Sequence, residues 1–401
     1  MEVLGIVVEY NPLHNGHLYH LQESIKMTKC KYVVAVMSGN FVQRGEPAIL
    51  DKWQRTEMAL KGGVDLVIEL PVIYATSTAE NFAYGAIKLL DSLKIVDCIS
   101  FGSEEGSLDR LVKIADILLN EPLEYRKYLK KYLENGLTFA KARELAILKV
   151  TGDKELAKTL QTSNNILGIE YLKALKKIKS PILPFTVKRK GALYTSTKLE
   201  GEFASATSIR KAIKEHAIEE IKKYLPPFTL EILERNFNEG KGPVYLEHFS
   251  PIIFYLLRQG HTLQHIFDVA EGIENKIYKA ANKTNRLEEL IKRVKSKRYT
   301  ESRIRRILLH LILGIDKRLF KEFDGPNYIR VLGFNEKGQK ILKEIKKRSH
   351  LPIITKVAQY KEKISDSRMF EKDLFATDVY TLAYKNFGIS KLDFYHPIIK
   401  L

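Results

Sequence analysis

No apolar run in the chain approaches the ~18 residues that a bilayer-spanning helix needs, and the first residues enter a strand pattern instead of a secretory leader. A cytoplasmic protein with no membrane segment is therefore expected. There are only two cysteines, Cys30 and Cys98. Each lies in or beside an apolar strand pattern, which predicts small core hydrophobes in place of a disulfide or a metal pair. Neither a Walker A string nor G-x-G-x-x-G occurs, so ATP or NAD binding by those routes has no support. Histidines with the Glu-x-x spacing of a zinc protease are also missing, and no metal site is expected. Internal repeats and low-complexity tracts are absent as well.

What is present is a chain of 401 residues with 45% hydrophobic content, enough for a large core and two or three domains. Its formal net charge of +18 points to a polyanionic partner. The charge is unevenly placed: residues 1–100 hold nine Lys and Arg against eleven Asp and Glu. Downstream, Lys292, Arg293, Lys295, Lys297, Arg298, Arg303, Arg305 and Arg306 stand against a single acid, Glu301. Such a cluster has the charge expected of a nucleic-acid face. A solvated helix of a thermally robust protein is the competing reading.

Strand-like runs recur at Leu4–Val8, Tyr32–Met37, Asp65–Leu70, Cys98–Phe101 and Ile182–Val187, with helical patterns between them. That alternation predicts an α/β fold with a Rossmann-like, doubly wound parallel sheet covered on both faces. Residues 108–177 read as a helical excursion before the last core strand. After Arg210 the pattern stays helical to about Phe320, and a small α/β block follows: Tyr328–Phe334 strand, Lys337–Lys347 helix, Pro352–Val357 strand, Phe370–Asn386 helix. The expected division is a catalytic domain over 1–216 and a basic, mostly helical region over 217–401.

The first strand breaks into Glu9-Tyr10-Asn11-Pro12-Leu13-His14-Asn15-Gly16-His17, after which Leu18, Leu21 and Ile25 repeat with helical spacing. His14 and His17 thus fall at a helix N-terminus, where unpaired N–H groups and the helix dipole favour phosphate oxygens. Each imidazole can donate a hydrogen bond or carry charge toward an oxyanion, and Gly16 lets a phosphate approach the backbone. A second such helix start is Phe203-Ala204-Ser205-Ala206-Thr207-Ser208-Ile209-Arg210, where Ser205, Thr207 or Ser208 can cap the helix and Arg210 can hold pyrophosphate oxygens, an ordinary N-cap with a solvent-facing arginine being the alternative. The loop Ser38–Glu46, with Gly39, Asn40, Gln43 and Arg44, is a candidate contact for a second substrate.

Together, an HxGH turn after the first strand and a Ser/Thr-rich S-x-x-x-x-R helix start after the fifth resemble the HxGH nucleotidylyltransferase superfamily. The blocks GIVVEYNPLHNGHLYH (5–20), MSGNFVQRGEP (37–47), GVDLVIELP (63–71), FGSE (101–104), SNNILG (163–168) and ASATSIR (204–210) are similar to the tRNA(Met) cytidine acetate ligase family. The likeness has motif-level detail in the first half and is looser over the basic second half. It implies that ATP and acetate give acetyl-adenylate and pyrophosphate, and that acetyl then passes to N4 of the wobble cytidine of elongator tRNA(Met). It implies an ATP site made by Ile6, Val7, Val8, Glu9, Tyr10, Asn11, Pro12, Leu13, His14, Asn15, Gly16, His17, Leu18, Tyr19 and His20, with Gly102, Asn164 and Arg189. His14, His17 and Arg210 are then the catalytic candidates, Mg²⁺ accompanies ATP, and Gly39, Asn40, Gln43 and Arg44 meet acetate or cytidine. A nucleotidylyltransferase acting on a small molecule, and a non-catalytic RNA-binding protein on the same fold, are the competing functions.

Overall fold

In a computed structural model, which describes residues 2–190, 199, 201–260, 263–386 and 389–401, alternate side chains of the central strands enter two separate cores. The strands are β1 (Val3–Val8), β2 (Tyr32–Ser38), the short hairpin β3 (Phe41–Val42) and β4 (Glu46–Pro47), β5 (Leu66–Leu70), β6 (Cys98–Ser103), β7 (Leu183–Lys188), β8 (Ile329–Phe334), β9 (Ile353–Ile354) and β10 (Ile399–Lys400). Leu4 and Ile6 of β1 face one core with Val33, Ala35 and Met37 of β2, while Val3, Val34 and Val36 face the other. A period of two with both faces buried yields the near-continuous apolar runs that mark a doubly covered sheet.

The main sheet runs β10-β8-β5-β2-β1-β6-β7, with β9 against β8. Its N-terminal strands are parallel, and the order reverses beside β1, which pairs with β2 on one edge and β6 on the other. Ligands of open α/β sheets bind at such a reversal, outside the carboxyl ends of the strands. The excursion ends in the helix Ser163–Lys177, which packs on the helix Ala79–Ser92 and returns to the mouth of this crevice.

The second half of the chain is joined to the first through the sheet itself. β8 runs antiparallel to β5, and β9 and β10 add parallel to β8, so the C-terminal α/β block extends the N-terminal sheet. The junction is also ionic. Lys52 Nζ lies 3.0 Å from Glu69 of β5 and 2.8 Å from Asp393, with all three side chains at most 4% exposed. Burial on that scale demands paired charges, since a lone buried ion is strongly destabilising.

Candidate active site

The turn after β1 builds its histidines into a reciprocal cap. His14 is the N-cap of the helix Asn15–Thr28: its Nδ1 accepts the Gly16 N–H at 3.1 Å, and His17 Nδ1 accepts the His14 N–H at 3.3 Å. This is the logic of a capping box, here made with two imidazoles. The rings stack at 3.7 Å between centroids. A Cβ on Gly16 would meet the His14 ring at 3.0 Å, so the glycine makes room for the imidazole.

Two consequences correct the sequence reading. The first-turn N–H groups are not all free for an anion, because the Gly16 N–H is bound to His14 and the His17 N–H to the His14 carbonyl at 2.8 Å. Nor do the imidazoles carry charge at neutral pH. Burial, together with Arg189 and Arg210, pulls His14 down to about 3; burial and the neighbouring charges also hold His17 well below the ordinary range. With each Nδ1 acting as an acceptor, the proton of the neutral ring sits on Nε2. The pair thus offers two fixed N–H donors to the crevice.

These rings stand in the wall of a cavity of about 310 Å³ at the strand-order reversal. Of the residues assigned to ATP, it is lined by Val7, Val8, Glu9, Tyr10, His14, Gly16, His17, Tyr19, His20, Gly102, Asn164 and Arg189. Ile6 and Leu13 are buried in the core instead, Leu18 packs against that core, and Asn11 turns away to accept the Ile49 N–H at 2.7 Å. Asn15 donates to the Lys223 carbonyl, and neither it nor Pro12 reaches the cavity wall.

At the opposite wall, Glu104 caps the helix Ser163–Lys177, taking the Asn165 N–H at 3.0 Å and the Asn164 side-chain amide at 2.6 Å. Asn164 is held in place by that bond and still borders the cavity. Arg189 follows β7, with Lys188 and Lys190 beside it on the same wall. A Cβ on Gly102 would approach the Arg189 stem at 3.3 Å, so the bare backbone lets that side chain lie across β6.

The loop Ser38–Glu46 divides. Gln43 and Arg44 line the cavity, and Arg44 donates to Ser163 Oγ at 3.1 Å. Gly39 and Asn40 do not reach it, which corrects their assignment to a substrate. Gly39 packs against Glu69, and Asn40 is 3% exposed, bonded to Thr377 and to the Lys52 N–H. Arg210 stands behind the HNGH turn, where it donates to the Asn11 carbonyl at 2.9 Å and to Glu46 at 3.3 Å. In this position it braces the turn and biases His14 electrostatically.

One residue escaped the sequence reading. Arg55, fully buried in the helix Lys52–Lys61, gives Nε to the Leu50 carbonyl and NH1 to the carbonyls of Glu9 (2.7 Å) and Ser38 (3.0 Å); NH2 goes to Gly39. It therefore clamps the carboxyl ends of β1 and β2 together. An arginine four residues before Ala59, on the apolar side of its helix, was the available signal.

The basic cluster separates in a similar way. Lys292, Arg293, Lys295, Lys297 and Arg298 are exposed, although Arg293 pairs with Glu289, Lys295 with Glu301 at 2.9 Å and Arg298 with Glu271 at 3.7 Å. Arg303 is paired with Glu271 at 3.0 Å, and Arg306 is buried on Asp268 at 2.7 Å. Arg305 joins Glu46 to Glu301. Arg306 consequently has no free face for a polyanion, a correction that follows from its burial.

A Rossmann-like sheet whose first strand ends in a histidine-capped turn, facing a cavity rimmed by Arg44, Lys188, Arg189 and Lys190, defines a nucleotidyl-transferring class of site. The chain belongs to the HIGH Nucleotidyl Transferase family, which it matches over residues 1–393, and within it to the tRNA(Met) cytidine acetate ligases. It is 79% identical to the tRNA(Met) cytidine acetate ligase of Caldanaerobacter subterraneus subsp. tengcongensis and 72% identical to that of Thermoanaerobacter sp., covering 100% of both chains in each case. Among solved structures it is similar to Thermotoga maritima TmcAL, with a TM-score of 0.95 to the apo form and 0.93 to the form bound with alpha-thio ATP. Both are 39% identical to it and covered in full.

Proposed function

We propose that this protein is an ATP-dependent ligase that activates acetate as acetyl-adenylate and transfers the acetyl group to N4 of the wobble cytidine of elongator tRNA(Met), giving N4-acetylcytidine, in the cytoplasm. The observation that carries the reading is the pair of capped imidazoles, His14 and His17, presenting Nε2–H donors to a cavity rimmed by cations. Similarity to the ligases named above supplies the substrates.

The first step needs alignment and charge neutralisation, because acetate is already ionised near neutral pH and requires no base. His14 and His17 donate to phosphate oxygens where charge develops, and Arg189 steadies the departing pyrophosphate. Gly102 and Asn164 border the place for adenine and ribose. No group of three or more His, Cys, Asp or Glu among the described residues is spaced as a metal site. Mg²⁺ bound with ATP would neutralise triphosphate charge beside Arg189 and the two imidazoles.

Exocyclic cytosine nitrogen is a weak nucleophile, its lone pair being delocalised into the ring, so the acyl group must arrive activated and the base unstacked. The exposed Lys292, Arg293, Lys295, Lys297 and Arg298 form the surface for tRNA phosphates. Supplying ATP, Mg²⁺, radiolabelled acetate and bulk tRNA, then digesting to nucleosides, tests the reading. Label in N4-acetylcytidine with AMP and pyrophosphate supports it; ADP and phosphate in their place would sink it.

A further inference from the structure

We propose that Glu9 is the group that takes the proton from the attacking cytidine amine in the transfer step. This rests on the acetyl-adenylate reading above. The amine nitrogen bonds to the acetyl carbonyl carbon, the bond from that carbon to the phosphate oxygen breaks, AMP leaves with the electron pair, and the N–H proton passes to the Glu9 carboxylate and then to water.

Three observations and one rule of base recognition converge on this residue. Among the described residues of the cavity wall, Glu9 is the only carboxylate, in a site otherwise built for anions. It is held firmly: Oε1 accepts the Gln43 N–H at 2.9 Å, and its own carbonyl is clamped by Arg55 at 2.7 Å. Oε2 makes no hydrogen bond to a described residue, which leaves it for a donor arriving from the cavity. A carboxylate accepting from an exocyclic cytosine amine is the favoured pairing for that base edge.

The histidines and the buried tyrosines of the wall do not serve. His14 and His17 use Nδ1 as acceptors and carry the proton on Nε2, and His20 is bonded to the Phe101 carbonyl and to Ser24. Burial pushes the phenols of Tyr10 and Tyr171 upward, so they hold their protons. Glu9 faces Arg44 on the hairpin loop, Arg55 and Arg210 on two helices, and Tyr171 on a third. Burial raises the proton affinity of its carboxyl against the opposing pull of Gln43 and those arginines. A base works best when its affinity lies near the operating pH.

The test isolates transfer from activation. Wild type, Glu9→Gln and Glu9→Asp are each loaded with synthetic acetyl-adenylate, mixed with tRNA and quenched rapidly from about pH 5 to about pH 9, with amide formation expressed per bound adenylate. Glu9→Gln is expected to slow transfer ~100-fold or more and to lose the limb that rises with pH, while Glu9→Asp keeps a limb at reduced rate. Should Glu9→Gln transfer at the wild-type rate, and fail only by needing more Mg²⁺ to form adenylate, Glu9 is a metal contact and the proposal falls. A wild-type rate without any ionisation limb overturns it even if Glu9→Gln does not fold. If wild type cannot use acetyl-adenylate at all, the reaction reading fails along with it.

Discussion

Arg55→Met tests whether the carboxyl ends of β1 and β2 depend on one buried guanidinium. The substitution keeps the aliphatic stem and deletes donors to the carbonyls of Leu50, Glu9, Ser38 and Gly39. Each buried acceptor stranded in this way costs about 1–3 kcal/mol. Against that gross loss stands relief from desolvating a cation, itself several kcal/mol, so a net destabilisation of about 3–5 kcal/mol is expected, as for other broken buried ionic contacts. Unfolding entropy of roughly 2.1 cal/mol/K per residue gives about 0.8 kcal/mol per kelvin for 401 residues. The melting temperature should therefore fall by about 4–6 °C in a scan where the chain unfolds as one unit. Activity should suffer more than stability, since the clamp holds the start of the HNGH turn that carries His14 and His17. Acetate-dependent ATP–pyrophosphate exchange, run well below the new melting temperature, is expected to drop by at least ~10-fold. A melting shift under about 1 °C with unchanged exchange would show that these carbonyls find other partners, and the clamp would be dismissed.

Three further outcomes are expected. His17→Ala removes one of the two Nε2–H donors and should lower acetate-dependent exchange about 10²- to 10³-fold; near-normal exchange in a folded variant removes His17 from the chemistry. Neutralising Lys292, Arg293, Lys297 and Arg298 together should weaken tRNA binding and flatten its salt dependence while tRNA-independent adenylate formation persists; equal loss of both in a folded variant refutes that surface. His14 is held down to about 3 in the folded chain, whereas an unfolded histidine titrates near ~6.5. Its contribution is then fully present above pH ~6.5 and lost as pH falls toward about 3, and chemical unfolding of His14→Gln should show a shallower pH slope across that window, by up to ~1.4 kcal/mol per pH unit; equal slopes would mean that His14 protonates freely in the folded state.

What the sequence disclosed were features whose physics is local. Leu4–Val8 and Tyr32–Met37 announce strands because both faces are apolar, and β1 and β2 lie there. The HNGH turn is legible because strand, break and helix period follow one another within about twenty residues. Its inner chemistry was half legible: the positions of His14 and His17 were read, but not that each Nδ1 is consumed by the backbone, which fixes both charge and proton. Tyr328–Phe334 was readable as a strand, yet its pairing against β5 was not, since nothing in its own residues names a partner more than 250 positions away. The hairpin at Phe41–Pro47 and β10 are too short to show a period.

The same distinction explains why the basic cluster was only partly resolved. Counting charge marks a basic stretch, but whether a given arginine faces solvent is decided by acids far away in sequence. Arg306 finds Asp268, and Arg305 finds Glu46. Glu46 in turn holds Arg210, whose side chain also donates to the carbonyl of Asn11 in the HNGH turn. A Cβ at Gly45, where φ is +76°, would fall 2.3 Å from the backbone nitrogen of Arg306, so the hairpin turn lies directly on the helix Glu301–Leu313. The helix that follows the exposed cations is thus in contact with the loop that carries Gln43 and Arg44 into the cavity. Most of the excess of positive charge lies in the second half of the chain. The packing unit is different: one sheet spans both halves, and a carboxylate on the hairpin ties an arginine from each to the HNGH turn.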